Sequence, residues 1–194
     1  MMCRMNSLPL QTKYPSIFFL LISILTTSYL QAAPKRYVVE NPTIKMVVIP
    51  RSAQQMAAFY EGREFPHNAI KATRDACFFT IGIHNKSKDI LWLDTTNWTF
   101  TTATGTLPLL SRSEWTQRWK KLNLPQRFQS TFRWTLLPNQ LDFQADEHEG
   151  GNITLARINT PFTLTARFAT KIDKNGEPLI ITFKDLLCAE DKAP

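Results

Sequence analysis

Residues 73–84 decide the fold, and they read Thr-Arg-Asp-Ala-Cys-Phe-Phe-Thr-Ile-Gly-Ile-His. Successive side chains of an extended strand point to opposite faces of a sheet. One face of this segment carries Cys77, Phe79, Ile81 and Ile83, and the other carries Phe78, Thr80, Gly82 and His84. A strand with one wholly apolar face and one mixed face is typical of a sheet that covers a hydrophobic core.

Further short runs of Val, Ile, Phe, Trp and Thr recur along the chain and are separated by Pro, Gly and Asn. This spacing is typical of antiparallel sandwiches and barrels. The predicted strands are 43–49, ended by Pro50; 89–94, paired with 73–84 in a hairpin; 98–100; 132–136; 162–168; and 179–183. We therefore predict an all-β fold over residues 34–194, a single antiparallel β-sandwich of immunoglobulin-like style with two short helical insertions.

Two capping boxes mark those helical insertions. In a capping box, a serine hydroxyl accepts a hydrogen bond from the backbone N–H three residues later, and the Glu or Gln side chain at that position bonds back to the serine backbone N–H. The two pairs are Ser52 with Gln55 and Ser111 with Glu114. Apolar residues follow at helical spacing: Met56, Phe59 and Tyr60 after the first box, and Trp115, Trp119 and Leu122 after the second.

The first 33 residues have the order of a secretory signal peptide. Basic residues Arg4 and Lys13 precede an apolar run at 17–25, and a short polar stretch closes on Ala32 and Ala33. The run is shorter than the roughly 20 residues that a membrane-spanning helix needs. We predict cleavage near Ala32 or Ala33, a periplasmic or secreted domain and no transmembrane segment after cleavage, with a retained anchor as the alternative.

Cys77 and Cys188 follow the leader, and in an oxidising compartment such a pair predicts one disulfide. Two free thiols or a metal-binding pair are the alternatives. Strand alternation puts Cys188 on the polar face with Thr182 and Lys184, so the bridge to Cys77 requires a bulge or a strand end near Asp185.

The distribution of charge and reactive groups excludes several classes of function. The net charge is +7, yet the longest basic clusters are pairs such as Lys35-Arg36, so no nucleic-acid partner is expected. The chain has no Gly-x-Ser-x-Gly nucleophile motif, and Ser52 and Ser111 are used as helix caps. We predict a protein that is not an enzyme, with no catalytic residue and no cofactor.

No metal is expected either, because the sequence has no His-x-His or Cys-x-x-Cys spacing. If a metal were bound, the candidate ligands would be Asp146, Glu147, His148 and Glu149, which lie together in an acidic segment ahead of two glycines. His67 or His84 would complete such a site if the fold brought one of them near.

The aromatic residues suggest a surface for a partner, since exposed tryptophan and tyrosine side chains anchor protein interfaces. The candidates are Phe59, Tyr60, Arg63, Trp92 and Trp98. We therefore predict an exported, non-enzymatic binding or accessory protein of the bacterial envelope that contacts another envelope protein. The alternatives are a periplasmic metal carrier that uses residues 146–149 and a carbohydrate-binding module that uses exposed tryptophans, so a metal or a glycan is a possible ligand.

Overall fold

The structure is a computed structural model that describes residues 35–191, and the predicted signal peptide lies outside that range. This part of the chain forms two antiparallel sheets and four α-helices. In order, the elements are β1 (Tyr37–Glu40), β2 (Ile44–Arg51), α1 (Ala53–Glu61), α2 (His67–Arg74), β3 (Ala76–Asn85), β4 (Leu91–Asp94), a 3₁₀ turn (Thr95–Asn97), β5 (Thr99–Thr102), β6 (Gly105–Thr106), α3 (Arg112–Lys121), α4 (Gln126–Thr135), β7 (Gln140–Phe143), β8 (His148–Ala156), β9 (Phe162–Thr170) and β10 (Leu179–Leu186).

The first sheet has the order β1-β2-β3-β8, and all its neighbours are antiparallel. The second sheet is built around β9. Strands β4 and β5 pair with two successive parts of β9, β10 pairs with it as well, and β7 and β6 extend the sheet from β4 and β5.

Two hydrophobic clusters lie on opposite faces of β3. Phe79, Ile81 and Ile83 belong to the cluster in which side chains of both sheets meet. Ala76 and Phe78 belong to the cluster that the helices cover, together with Trp115 and Phe132. The molecule therefore has three layers over this part of the chain: a sheet, a second sheet, and a helical layer on the outer face of the first sheet.

The all-β prediction is wrong, because the fold is α+β and its four helices form a layer of their own. Both capping boxes are confirmed, at Ser52 and at Ser111. The two helices that the sequence did not reveal, α2 and α4, begin after Pro66 and Pro125, and neither has a side-chain cap. Proline fixes a suitable backbone angle at a helix start without leaving the Ser/Thr/Asp signal that marks a capped helix.

The strand predicted over residues 132–136 is not formed: residues 132–135 are the end of α4, and Leu136 is its C-cap. The alternation of Phe132, Trp134 and Leu136 resembles a strand, but Phe128 and Phe132 are four residues apart and are both buried. Trp134 is 86% exposed, because a helix turns its side chain away from its neighbour two residues earlier.

The predicted hairpin between residues 73–84 and 89–94 is also wrong. Strand β4 pairs with β7 and β9 in the second sheet, whereas β3 pairs with β2 and β8 in the first. The segment between β3 and β4 therefore crosses from one sheet to the other. The predicted last residue of β2, Ile49, is two residues early, since β2 continues to Arg51 and Pro50 pairs with Phe79 beyond the last β1 partner at Val48. A proline is tolerated at such an edge position.

The disulfide between Cys77 and Cys188 is confirmed, with a Cα–Cα distance of 5.4 Å that is normal for such a bridge. The predicted irregularity near Asp185 is confirmed too. The β9–β10 register shifts between Phe183 and Leu186, and Asp185 adopts a left-handed backbone angle of 55°. This shift returns Cys188 to the side of the sheet that faces Cys77. The bridge indicates a protein that resides outside the cytoplasm.

Two aromatic residues of α4, Phe132 and Trp134, distinguish a helix from a strand. Replacing Phe132 with Ala should lower the free energy of unfolding by about 3–5 kcal/mol, the cost of a large core truncation. Replacing Trp134 with Ala should change it by less than about 0.5 kcal/mol, as at other exposed sites. Urea unfolding measures both. Comparable losses for the two variants would support the strand instead.

Reducing the disulfide should destabilise the domain. The bridge joins residues 111 positions apart, and the chain-entropy model assigns about 4–5 kcal/mol to a loop of this length. Denaturant unfolding with and without a reductant, checked by free-thiol titration, measures the difference. An unchanged unfolding midpoint after full reduction would contradict the expectation.

Candidate functional site: an open groove on the first sheet

The helices cover only part of the outer face of the first sheet. Near α3 and α4, Phe78 and Thr154 of this face are buried. Further along, two rows of paired residues cross the sheet without a helix above them: Val38, Val47, Gly82 and Gly150 in one row, and Glu40, Lys45, His84 and His148 in the next. They border a cavity of about 600 Å³, which we call the open groove; it is lined by Lys45, Val47, Gly82, Ile83, His84, His148, Glu149 and Gly150.

The floor of the open groove carries almost no side chains, because Gly82 of β3 lies opposite Gly150 of β8. A Cβ atom added at Gly82 would meet nothing within 4 Å. The backbone angle at Gly82 is not positive, so the local conformation does not demand glycine. At Gly151, by contrast, an added Cβ would lie 2.5 Å from the Leu137 nitrogen, and glycine there is required by packing.

Two imidazoles and a carboxylate meet at one end of the open groove. His84 Nε2 lies 2.7 Å from Asp146 Oδ1. The rings of His84 and His148 are stacked, with centroids 3.7 Å apart and an interplanar angle of 19°. One ligand atom from each of the three residues lies within 4.8 Å of the others. The hydrogen bond from His84 lowers the pKa of the Asp146 carboxyl below its usual value.

Asn85 positions the turn that carries Asp146. Its side chain is completely buried, and its Nδ2 donates hydrogen bonds to the carbonyl oxygens of Asp89, Phe143 and Gln144. The backbone of Asn85 also pairs with the β7–β8 turn at both Asp146 and Glu147. Asp146 itself has a left-handed backbone angle of 61°, which aspartate tolerates better than most residues.

A network of charges borders the same end of the groove. Glu40 binds both Lys45, at 2.9 Å, and Lys86, at 2.8 Å. These two hydrogen bonds lower the pKa of the Glu40 carboxyl to about 2. Lys45 is the cross-strand neighbour of His84, so Glu40 partly neutralises the positive charge beside the histidine pair.

A hydrogen-bonded chain of polar groups lies between the groove floor and the helical layer. Arg51 Nε donates to Thr80 Oγ1 at 2.9 Å, and Thr80 Oγ1 donates to Asn152 Oδ1 at 2.8 Å. One end of the open groove therefore carries the imidazoles of the two histidines. The other end carries the Thr80 hydroxyl, the Asn152 amide and the Arg51 guanidinium.

The acidic segment predicted as a candidate metal site is divided by the structure. Asp146 and His148 meet His84, the histidine that was expected to complete such a site. The Glu147 carboxylate instead accepts a hydrogen bond from the Gln144 N–H, and that of Glu149 accepts one from the Gly150 N–H. Neither glutamate belongs to the cluster.

The predicted partner surface does not form one patch. Tyr60 and Trp98 are core residues, and burial raises the pKa of the Tyr60 hydroxyl. Phe59 is half-buried, with the Arg63 guanidinium 3.6 Å from its ring centroid. Trp92 is half-buried on the second sheet and donates to the Lys171 carbonyl oxygen at 2.7 Å.

Sequence reasoning missed Gly82, Asn85 and Lys45 as site residues. A glycine in the middle of a strand is a recognisable sign of a bulge or of a close approach by a ligand or another backbone. The roles of Asn85 and Lys45 depend on the β3–β8 and β2–β3 registers, which the sequence does not specify.

Comparisons with known proteins assign no function. No protein-family model and no curated protein matches this sequence. One solved structure is similar, a chain described as a candidate lipoprotein of Bacillus subtilis: identity is 11%, the TM-score is 0.41, and the match covers 76% of this chain. The match spans 38% of that chain's length. Within residues 35–191, no helix has the length and apolarity needed to cross a membrane.

Replacing Asn85 with Ala should lower the free energy of unfolding by about 2–4 kcal/mol, because several buried carbonyl groups lose their donor. Asn97, an exposed asparagine of the 3₁₀ turn, is the matched control, and Asn97→Ala should change the value by less than about 0.5 kcal/mol. Thermal and urea unfolding report the difference. Equal stabilities of the two variants would show that Asn85 does not hold the turn.

Proposed function

We propose that this chain is an exported, non-enzymatic binding protein of the bacterial cell envelope, and that it holds an extended segment of a protein partner in the open groove. The observation that carries the proposal is Gly82. A glycine inside a strand weakens the sheet, and this one has free space above it and an ordinary backbone conformation. A larger residue would suit the fold at least as well.

The lack of side chains on the groove floor is therefore better explained by ligand binding than by a requirement of the fold. Gly82 and Gly150 leave backbone accessible across two neighbouring strands. A partner's main chain or a flat side chain would approach this floor closely, as happens at other strand glycines. Val38, in the same row, is 48% exposed and would supply apolar contact, whereas Val47 is buried and would contribute little.

The shape of the groove favours a protein segment over a small molecule. Pockets for small molecules enclose most of the ligand surface, whereas this groove lies along an open sheet face next to the edge strand β1. Extended segments add to an exposed sheet edge through backbone hydrogen bonds, with specificity from alternate side chains, and β1 provides such an edge beside the groove.

The lining of the groove supports a role without catalysis. Next to the histidines, the described residues that line the groove include no serine, threonine or cysteine to act as a nucleophile, and Thr80, at the other end, donates its hydroxyl proton to Asn152. The carboxylate in contact with His84 belongs to Asp146, which is 89% exposed, rather than to a buried group that would orient a catalytic base.

Site-specific photo-crosslinking in the envelope of the producing bacterium tests the proposal. A photoreactive residue at Val38, beside the groove floor, should give a discrete protein adduct. The same residue at Thr182, exposed on β10 of the second sheet, is the matched control and should not give it. Gly82→Leu, which fills the floor, should reduce the Val38 adduct at least about tenfold, as expected if binding loses about 1.4 kcal/mol or more.

The Gly82→Leu variant must be exported and oxidised to the same level as the wild type for this comparison. An adduct that persists in Gly82→Leu, or that forms equally from Thr182, would show that the groove is not the binding surface.

A further inference from the structure

We infer that His84, Asp146 and His148 form a binding site for one divalent transition-metal ion, with Zn²⁺ as the ion that the donor set suits. The site lies at one end of the open groove. Its existence stands on the geometry of the three side chains, and only its role toward a partner rests on the proposed function.

The two histidines are held by the sheet itself. His84 and His148 are directly opposite on β3 and β8. Side chains at such cross-strand positions start from Cβ atoms about 4.5–5.5 Å apart. Two imidazoles at this spacing reach a common point above the sheet, and neither backbone has to move for them to do so. A pair on rigid strands loses little entropy when it binds an ion, because the strands are already ordered.

Asp146 comes to the same point from the β7–β8 turn. The turn is fixed by the buried Asn85, which bonds to the backbone at both ends of it. The Asp146 carboxylate is 89% exposed and contacts His84 through one oxygen. It therefore has room to turn toward an ion without breaking any buried contact.

The distances require only a small adjustment. The three ligand atoms now lie within 4.8 Å of one another, and in a tetrahedral zinc site with bonds of 2.0–2.1 Å they would lie about 3.3 Å apart. Rotation of the stacked imidazoles about their side-chain bonds closes this gap. The ion would replace the hydrogen bond between His84 and Asp146 and would separate the two rings.

The donor set identifies the class of ion. Two imidazole nitrogens and one carboxylate oxygen suit borderline ions such as Zn²⁺ and Cu²⁺ rather than Ca²⁺ or Mg²⁺, which take oxygen ligands. Three protein ligands leave at least one coordination position for water or for a group of the partner. That position would face solvent at the end of the open groove.

The surrounding charges permit a cation here. Lys45 is the nearest cationic neighbour in the row, and its ammonium group is directed to Glu40. The Asp146 carboxylate adds a negative charge to the site. Glu40 and the Asp146 carboxylate therefore offset the positive charges of Lys45 and Lys86 beside the cluster.

Zinc binding to the untagged, oxidised protein without its signal peptide tests the inference. Competition with a chromogenic chelator should give one Zn²⁺ per chain for the wild type. His84→Gln and His148→Gln should each weaken binding at least about tenfold, since even outer-shell changes at metal sites cost 10–100-fold. Asp146→Asn, which keeps the turn because asparagine also tolerates a left-handed backbone, should weaken binding several-fold.

His67, exposed at the start of α2, provides the matched control because it is the remaining histidine of the chain. His67→Gln should bind Zn²⁺ like the wild type. A second readout is the imidazole ¹⁵N spectrum, in which Zn²⁺ should shift the signals of His84 and His148 and leave those of His67 unchanged.

Wild-type protein that binds no Zn²⁺, or a His84→Gln/His148→Gln double variant that binds as well as the wild type, would overturn the metal site. The Val38 crosslink distinguishes this outcome from failure of the proposed function. If the wild type binds no Zn²⁺ but still forms the crosslink, the metal site is wrong and the groove remains the binding surface. If the wild type binds Zn²⁺ but forms no crosslink, the metal site stands and the proposed protein partner is wrong.

Discussion

The structure depends on how strand β3 is buried. The first half of the strand is covered on both of its faces, and the second half is covered on its inner face alone. Its first half lies between the inter-sheet core, through Cys77 and Phe79, and the helical layer, through Ala76 and Phe78. Its second half keeps the inner contacts of Ile81 and Ile83 but carries Gly82 and His84 outward. The helical layer must therefore cover the first half, and the open groove exists because it stops there. The disulfide ties this same strand to the C-terminal segment.

Asn85 links the fold to the candidate site. A fully buried amide has to satisfy its donors and acceptor within the protein, and Asn85 does so by binding the segment that leaves β3 and the turn between β7 and β8. One side chain thus fixes both the crossing between the sheets and the position of Asp146 beside His84. Stability of the crossing and geometry of the histidine cluster are consequences of the same hydrogen bonds.

The features that could be predicted are those that depend on the identity and local spacing of residues in the sequence. The capping boxes at Ser52 and Ser111 and the strand within 73–84 follow from spacing within a few residues. The Cys77–Cys188 bridge follows from the presence of two cysteines after the leader, and the irregularity near Asp185 follows from that bridge and strand alternation. Helices α2 and α4 were missed because Pro66 and Pro125 replace the usual capping side chains and because Phe132, Trp134 and Leu136 imitate a strand. The site depends on register: His84 and His148 are 64 positions apart, and only the pairing of β3 with β8 makes them neighbours.

Under the proposed function, Gly82 serves binding and not folding, and the stability of the Gly82→Val variant tests this role most directly. Valine is β-branched and favoured in strands, and its Cβ atom would have no atom within 4 Å. Gly82→Val should have a free energy of unfolding equal to that of the wild type or up to about 1 kcal/mol above it, measured by urea denaturation. A loss of more than about 1 kcal/mol would contradict this role and would make the glycine a requirement of the fold.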